Sequence, residues 1–210
     1  MRWDNLFADL EGQLEHELGA EDLELRVEEE RLRLGRLSLR DRMRAVSDPG
    51  DDRAAPLLLW LADGSAVRLR PATFGRDWVS GELVGDAAQG VEAARASARA
   101  LVPLDAVASI SLTEAQVAPS LEGTGEQDRA PDAAPRLIDR LGLAFPLRDL
   151  ARRRSAVTVT TLAGDLHGTI DRVARDHVDL ALHEPGAPRR AANVRGIRIV
   201  PMTAVVLVRI

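Results

Sequence analysis

Along the first fifty residues the apolar positions recur at helical spacing. Trp3, Phe7, Leu10, Leu14 and Leu18 fall three and four residues apart, which places them on one helical stripe, and Gly19 is placed to end it. A second helix is expected from about Glu21, with Leu23, Val27 and Leu34 on one face and Glu28 to Arg31 exposed and able to pair along the helix. Leu32, Leu34, Leu37 and Leu39 also alternate in part, so a strand reading of that stretch stays open. Asp48-Pro49-Gly50-Asp51-Asp52 reads as a turn or linker. From Pro56 the period shortens. Leu57 to Leu61 form a brief apolar run, Asp63-Gly64 signals a hairpin turn, and Val67 and Leu69 alternate with Arg68 and Arg70. A third strand is expected around Asp77 to Leu83, then an alanine-rich insertion over 85–100, then two strands about a Pro103 corner within Leu101 to Leu112. Residues 113–135 hold three prolines and two glycines among acids and alanines, and read as a flexible linker.

After that linker the pattern returns. Leu147-Arg148-Asp149 echoes Leu39-Arg40-Asp41, and Val157 to Gly164 echoes Leu57 to Gly64. Asp176-His177-Val178 echoes Asp77-Trp78-Val79, and the Val200-Pro201 corner echoes Val102-Pro103. Four matches in one order define an internal repeat. Each copy carries a short helix, a hairpin, a third strand, a variable loop and a closing strand pair. So few residues with five strands are expected to curl into a small barrel that hides its own edges. Small barrels bury little surface alone, so self-association is expected as well.

Composition narrows the function classes. Charged residues are 29% and hydrophobic residues 45%, as in folded soluble proteins. There is no cysteine, which removes disulfides and thiolate chemistry and suits a reducing compartment. The N-terminus lacks a signal-peptide pattern and no run is long enough to span a bilayer, so a cytoplasmic protein is expected. Lysine is absent. Arginines number 8 against 13 acids in residues 1–50, 7 against 13 in 51–135, and 13 against 7 in 136–210. That asymmetry suits either a polyanion-binding C-terminal part or charge pairing between the halves or between chains, and the second is preferred.

The second copy, VTVTTLAGDLHGTIDRVARDHVDLAL followed by IRIVPMTAVVLVRI, resembles the Sm-like family, including the bacterial Hfq type. Gly164, Gly168-Thr169-Ile170 and Val178 to Leu182 sit where that family has its turn glycine, bent second strand and third strand. The first copy departs from it, with Arg68 at the second-strand glycine position. The resemblance implies a mainly β chain with N-terminal helices and two small five-stranded Sm-like or SH3-like barrels, each preceded by a short helix. Its segments are an acidic helical N-terminus over 1–46, a first barrel over 56–112 with its insertion, the linker, and a second barrel over 136–210. In that family RNA is bound through an acidic residue, an asparagine and a late turn. Here Ala174 and Asp179 stand near the first two positions, and Arg195-Gly196 lies out of register with the third, so the RNA pocket is read as degraded.

No catalytic constellation emerges. Among the histidines, His177 takes the place of Trp78 and is read as a packing residue, while His167 and His183 are expected to be exposed; none has ligand spacing to a second, so no metal and no cofactor is expected. Gly123-Thr124-Gly125 lacks the lysine of a phosphate loop. The preferred function is a non-enzymatic interaction or assembly module, homo-oligomeric or docking a protein partner, with Trp3, Phe7, Leu10 and Leu14 as apolar anchors and barrel edges as a second surface. The alternative is backbone binding of RNA or DNA by a basic rim of Arg148, Arg152, Arg153, Arg154, Arg189 and Arg190.

Overall fold

The computed structural model describes residues 23–47, 55–85, 98–122 and 136–210. The anchors Trp3, Phe7, Leu10 and Leu14, the histidine at position 16, the acidic turn and the Gly-Thr-Gly segment lie outside them. Helix α1 covers residues 23–36 and α2 spans Leu39–Ala45. The strand reading of Leu32 to Leu39 is thus replaced by helix. Ser38 caps α2 in a reciprocal capping box with Asp41, which ends the competition between the two periods in favour of a new helix start. Five strands follow: β1 (Leu57–Leu61), β2 (Ala66–Phe74), β3 (Trp78–Leu83), β4 (Arg99–Pro103) and β5 (Val107–Ser111). Then come α3 (Glu114–Leu121), α4 (Leu137–Arg140), α5 (Ala144–Arg153), β6 (Ala156–Thr161), β7 (Gly164–Val173), β8 (His177–Leu182), β9 (Gly196–Pro201) and β10 (Val205–Arg209).

All ten strands belong to one antiparallel sheet in the order β5-β1-β2-β3-β4-β10-β6-β7-β8-β9. The repeat alone predicts separate barrels on a flexible linker; one unclosed sheet running through both copies is what forms. The repeat nevertheless governs its geometry. Within each half the order is the same, β5-β1-β2-β3-β4 and β10-β6-β7-β8-β9. Both long second strands carry an irregularity in register at the same place, after Pro71 and after Ile170. Both closing pairs turn through a 3-10 corner that follows a proline, at Leu104–Ala106 and Met202–Ala204. Bulges at matching points bend matching strands, so each half curves alike.

Where the halves meet, β4 pairs with β10, Leu101 opposite Val208 and Ala100 opposite Arg209. The two buried clusters exchange residues across this seam. Trp78 and Leu101 of the first half pack with Leu143, Leu147, Leu150 and Val208 of the second. Val206 and Leu207 pack in turn with Met43, Leu59, Phe74 and Val102 of the first. Removing these side chains from water favours the joined sheet, and neither half keeps a complete core without the other.

The proline-rich 113–135 stretch is not linker throughout. Residues 114–121 form α3, begun by the Gln116 side chain accepting from the Thr113 N–H, and α3 packs against α2. Its Ser120 is buried and accepts from Arg42. Further on, Asp139 of α4 is buried and accepts from both Arg40 at 2.6 Å and Arg44 at 2.7 Å, tying the helix before the first half to the helix before the second. Charge does hold the halves together, but with basic groups from the acidic part of the chain and the carboxylate from the basic part. The glutamates Glu28 and Glu30 pair with Arg31 and Arg33 of their own helix.

Candidate interaction site

The same strand positions are closed at the seam and open at the ends of the sheet. The repeat aligns β4 with β9 and β10 with β5, so Leu101 corresponds to Ile199 and Val208 to Ile110. At the seam Leu101 is 2% exposed and Val208 fully buried. On β9, with no second neighbour among the described residues, Ile199 is 66% and Ile197 is 63% exposed, and Arg198 between them is exposed on the opposite face. On β5, Ala108, Ser109 and Ser111 are exposed and Ile110 half-buried. Among the described residues, each end therefore presents a ladder of backbone N–H and C=O groups with no strand beside it, with apolar side chains along β9. Barrels that hide their own edges, as the strand count predicts, are not realised at these two strands.

A groove of about 330 Å³ runs beside β5, lined by Ile110 and Leu112 with Leu39, Arg42 and Met43 of α2. It is the counterpart of the place at the seam where Leu101 lies against α5 and Val208. The signal for β9 is present in Ile197-Arg198-Ile199-Val200, but alternation of that kind reads as a strand with one covered face. Helix α1 leaves Leu23, Leu25, Val27 and Leu32 exposed among the described residues and is tied to α3 by Arg33 donating to the Leu121 carbonyl.

The arginines expected to form a rim do come together. Arg154 ends α5 with φ of 55°, a left-handed conformation usually left to glycine, and reaches Asp171 at 3.4 Å. Arg189, from the loop after β8, makes a two-pronged contact with the same carboxylate. That contact above all, with the charges of Arg154 and Arg172, holds the Asp171 carboxyl below its usual range. Arg152 and Arg153 both pair with Asp149. Only Arg148 and Arg190 of the six carry no ion pair among the described residues. Two carboxylates, Asp149 and Asp171, thus engage four of the six arginines.

The histidines differ from expectation. His183 is buried, and His167 is half-buried beside it with ring centroids 5.5 Å apart. The Glu184 carbonyl can only accept, so Nδ1 of His183 carries a proton, and its Nε2 shares a hydrogen bond with the Thr169 hydroxyl at 2.9 Å. His167 meets Thr158 at 3.0 Å and has its Nε2 buried without a partner among the described residues. His177, in the place of buried Trp78, is half exposed and bonded to Asp176 rather than packed. Asp179 lies 3.8 Å from Arg172, and Arg195 pairs with Glu184, which gives both of these positions structural partners. A cleft of about 270 Å³ at the seam is lined by Arg76, Asp77, Leu143, Arg175 and Met202 among others. Among the described residues no three metal-type side chains converge, and no helix is long and apolar enough to cross a membrane. Compared with known proteins, the chain matches no family model, no curated protein and no solved structure.

Proposed function

We propose that this chain is a non-catalytic assembly module, two divergent Sm-like half-units fused into one sheet, that joins other protein through its open strands. Each half is a strongly bent five-stranded unit of the Sm-like or SH3-like kind, completed by neighbours rather than closed on itself. The observation that carries the reading is the pair of edges left without a neighbouring strand among the described residues, with Ile199 of β9 exposed where its seam counterpart Leu101 is buried, and Ile197 exposed beside it. Long edges with exposed isoleucines are ordinarily blunted by charge, proline or covering segments, and such strands serve as docking ladders when a partner adds a strand. The exposed leucines of α1 offer a second surface of the same kind.

Nucleic-acid backbone binding by the arginine rim is the weaker reading, because Asp149 and Asp171 already engage four of its six arginines. One experiment separates the two. The mass of the full chain is measured by light scattering across micromolar concentrations, alongside Ile197→Lys/Ile199→Lys, with binding of a generic RNA followed at low salt. The assembly reading expects the wild type above the 22.8 kDa of one chain and the variant reduced toward it. Equal single-chain masses for both, with salt-sensitive RNA binding, would replace it with the rim.

A further inference from the structure

Helix α1 stands apart from the sheet. Of residues 23–36 only Arg33 is half-buried, where its guanidinium donates to the Leu121 carbonyl, and Leu23, Leu25, Val27, Leu32 and Leu34 are all exposed. A helix of this length is marginal in water unless an apolar face is packed. At about 3.6 residues per turn, Leu23, Val27 and Leu34 share one face, and Leu25 and Leu32 lie on the opposite one.

The segment that precedes α1 has the matching pattern. Trp3, Phe7, Leu10, Leu14 and Leu18 form one helical stripe, and Gly19 to Asp22 leave a short connection of the length that joins antiparallel neighbours. Outward from that connection the spacings are mirror images. Leu18, Leu14 and Phe7 are four and then seven residues apart, and so are Leu23, Val27 and Leu34. In an antiparallel pair Leu18 faces Leu23, Leu14 faces Val27 and Phe7 faces Leu34, every pair centred between residues 20 and 21. Trp3 then reaches the half-buried Leu37 at the far end. As helices, 3–18 and 23–36 are both about 20–25 Å long, so neither overhangs the other.

Charge agrees with this register. Residues 3–18 hold Asp4, Asp9, Glu11, Glu15 and Glu17 and no arginine. Glu17 flanks the seam beside Arg26, and Glu11 beside Arg31, whose contact with Glu28 of its own helix is a loose 3.7 Å.

We infer that residues 3–18 dock on the Leu23–Val27–Leu34 face of α1 in the same chain, as a cover that any protein using that face must displace. The short connection holds this segment at an effective concentration on the order of millimolar, so a competitor for the face has to bind tightly. Leu25 and Leu32, on the far side, stay available to the partner of the assembly reading, on which this inference does not depend.

The chain has no cysteine, so thiols can be placed where the test needs them. Glu11→Cys/Arg31→Cys, in the full-length protein at low micromolar concentration, is treated with a bismaleimide whose reach matches flanking positions of adjacent helices. Glu11→Cys/Glu29→Cys, with Glu29 turned away from the seam, is the control. Docking predicts a link within one chain, read by mass spectrometry, that forms at least tenfold faster in the first protein than in the control. Adding Leu14→Glu should bring the first rate down to that of the control. An undiminished rate would show that the short connection alone produces the link, and would overturn the inference; so would equal rates in the two proteins. Linking between separate Glu11→Cys and Arg31→Cys chains, as fast as within the double variant, would assign the face to a second copy and overturn it as well. The light-scattering mass reports on the assembly reading separately.

Discussion

The two halves of the sheet share strand order, bulge position and corner, yet they solve the tight crossing of their second and third strands with glycine on opposite strands. In the first half Gly81 of β3 lies so close to β2 that an added Cβ would stand 2.1 Å from the Arg70 carbonyl oxygen. In the second half it is Gly168 of β7 whose Cβ would stand 2.2 Å from the Ala181 oxygen. The bend demands one missing side chain per crossing and is indifferent to which strand supplies it. A second contrast lies in the loop between those strands. In the first half it is occupied: Trp78 donates from its indole to the Leu141 carbonyl, and Asp77 accepts from the Leu143 N–H, so the segment leading into α5 is clamped to the first half. The corresponding Asp176 and His177 are bonded to each other, Asp176 exposed and His177 half exposed. The first half acts as a receptor for the second; among the described residues no segment is clamped to the second half's matching surface.

The largest effect is expected where the two halves agree in need. Gly81→Ala and Gly168→Ala each force a backbone shift, and each should lower unfolding free energy by roughly 4 kcal/mol, in the range that clash and strain produce. Urea midpoints read this, and a loss under about 1 kcal/mol for either, the size of an ordinary substitution, would mean that the crossing relaxes without glycine. Next comes the tie between the halves. Asp139→Ala leaves Arg40 buried without its carboxylate and should cost about 3 kcal/mol. An unchanged midpoint would show that the β4–β10 seam alone holds the halves in place.

How much of this is legible in the chain depends on the length scale. The repeat is visible because its turns and corner prolines sit at nearly constant offsets, and the strands because their residues alternate. Matching the two copies by pattern alone, however, misplaces the register by one. Ser65 is an extra residue in the first hairpin, accepting from the Leu61 N–H, so Leu69 and not Arg68 stands at the place of Gly168. The joining of the halves is not legible, because strand pairing between distant segments leaves no local mark. One trace exists. The run Val205 to Val208 is apolar and buried at every position, as befits a strand covered on both faces, whereas its counterpart Val107-Ala108-Ser109-Ile110 is broken by a serine and exposed at its middle two positions. Helix α3 is masked by its proline, although Thr113 and Gln116 stand at capping-box spacing. For the candidate site, composition finds the arginine rim, but the engagement of four of its arginines by Asp149 and Asp171 depends on side chains brought together by folding.

The smallest effect tests the polar ends of these strands, where the halves diverge in chemistry. The first half places the Arg70–Glu82 pair there, 3.2 Å apart. The second places His167 and His183 with their threonines. Burial, and then the neighbouring His183, push the His167 pKa below its ordinary value, only partly opposed by Glu184. In the unfolded chain the same imidazole titrates near about 6.5. Between those two values the unfolded state binds more protons than the folded one, so stability is full above the unfolded value and falls as pH drops through the window. His167→Gln removes that proton uptake. Denaturant midpoints from pH 7.5 to 5 should decline for the wild type and flatten for the variant, while the low-lying carboxyl of Asp171 exerts its effect only at more acidic pH. Parallel curves for the two proteins would assign the decline to another group and leave the second half no more acid-sensitive than the first.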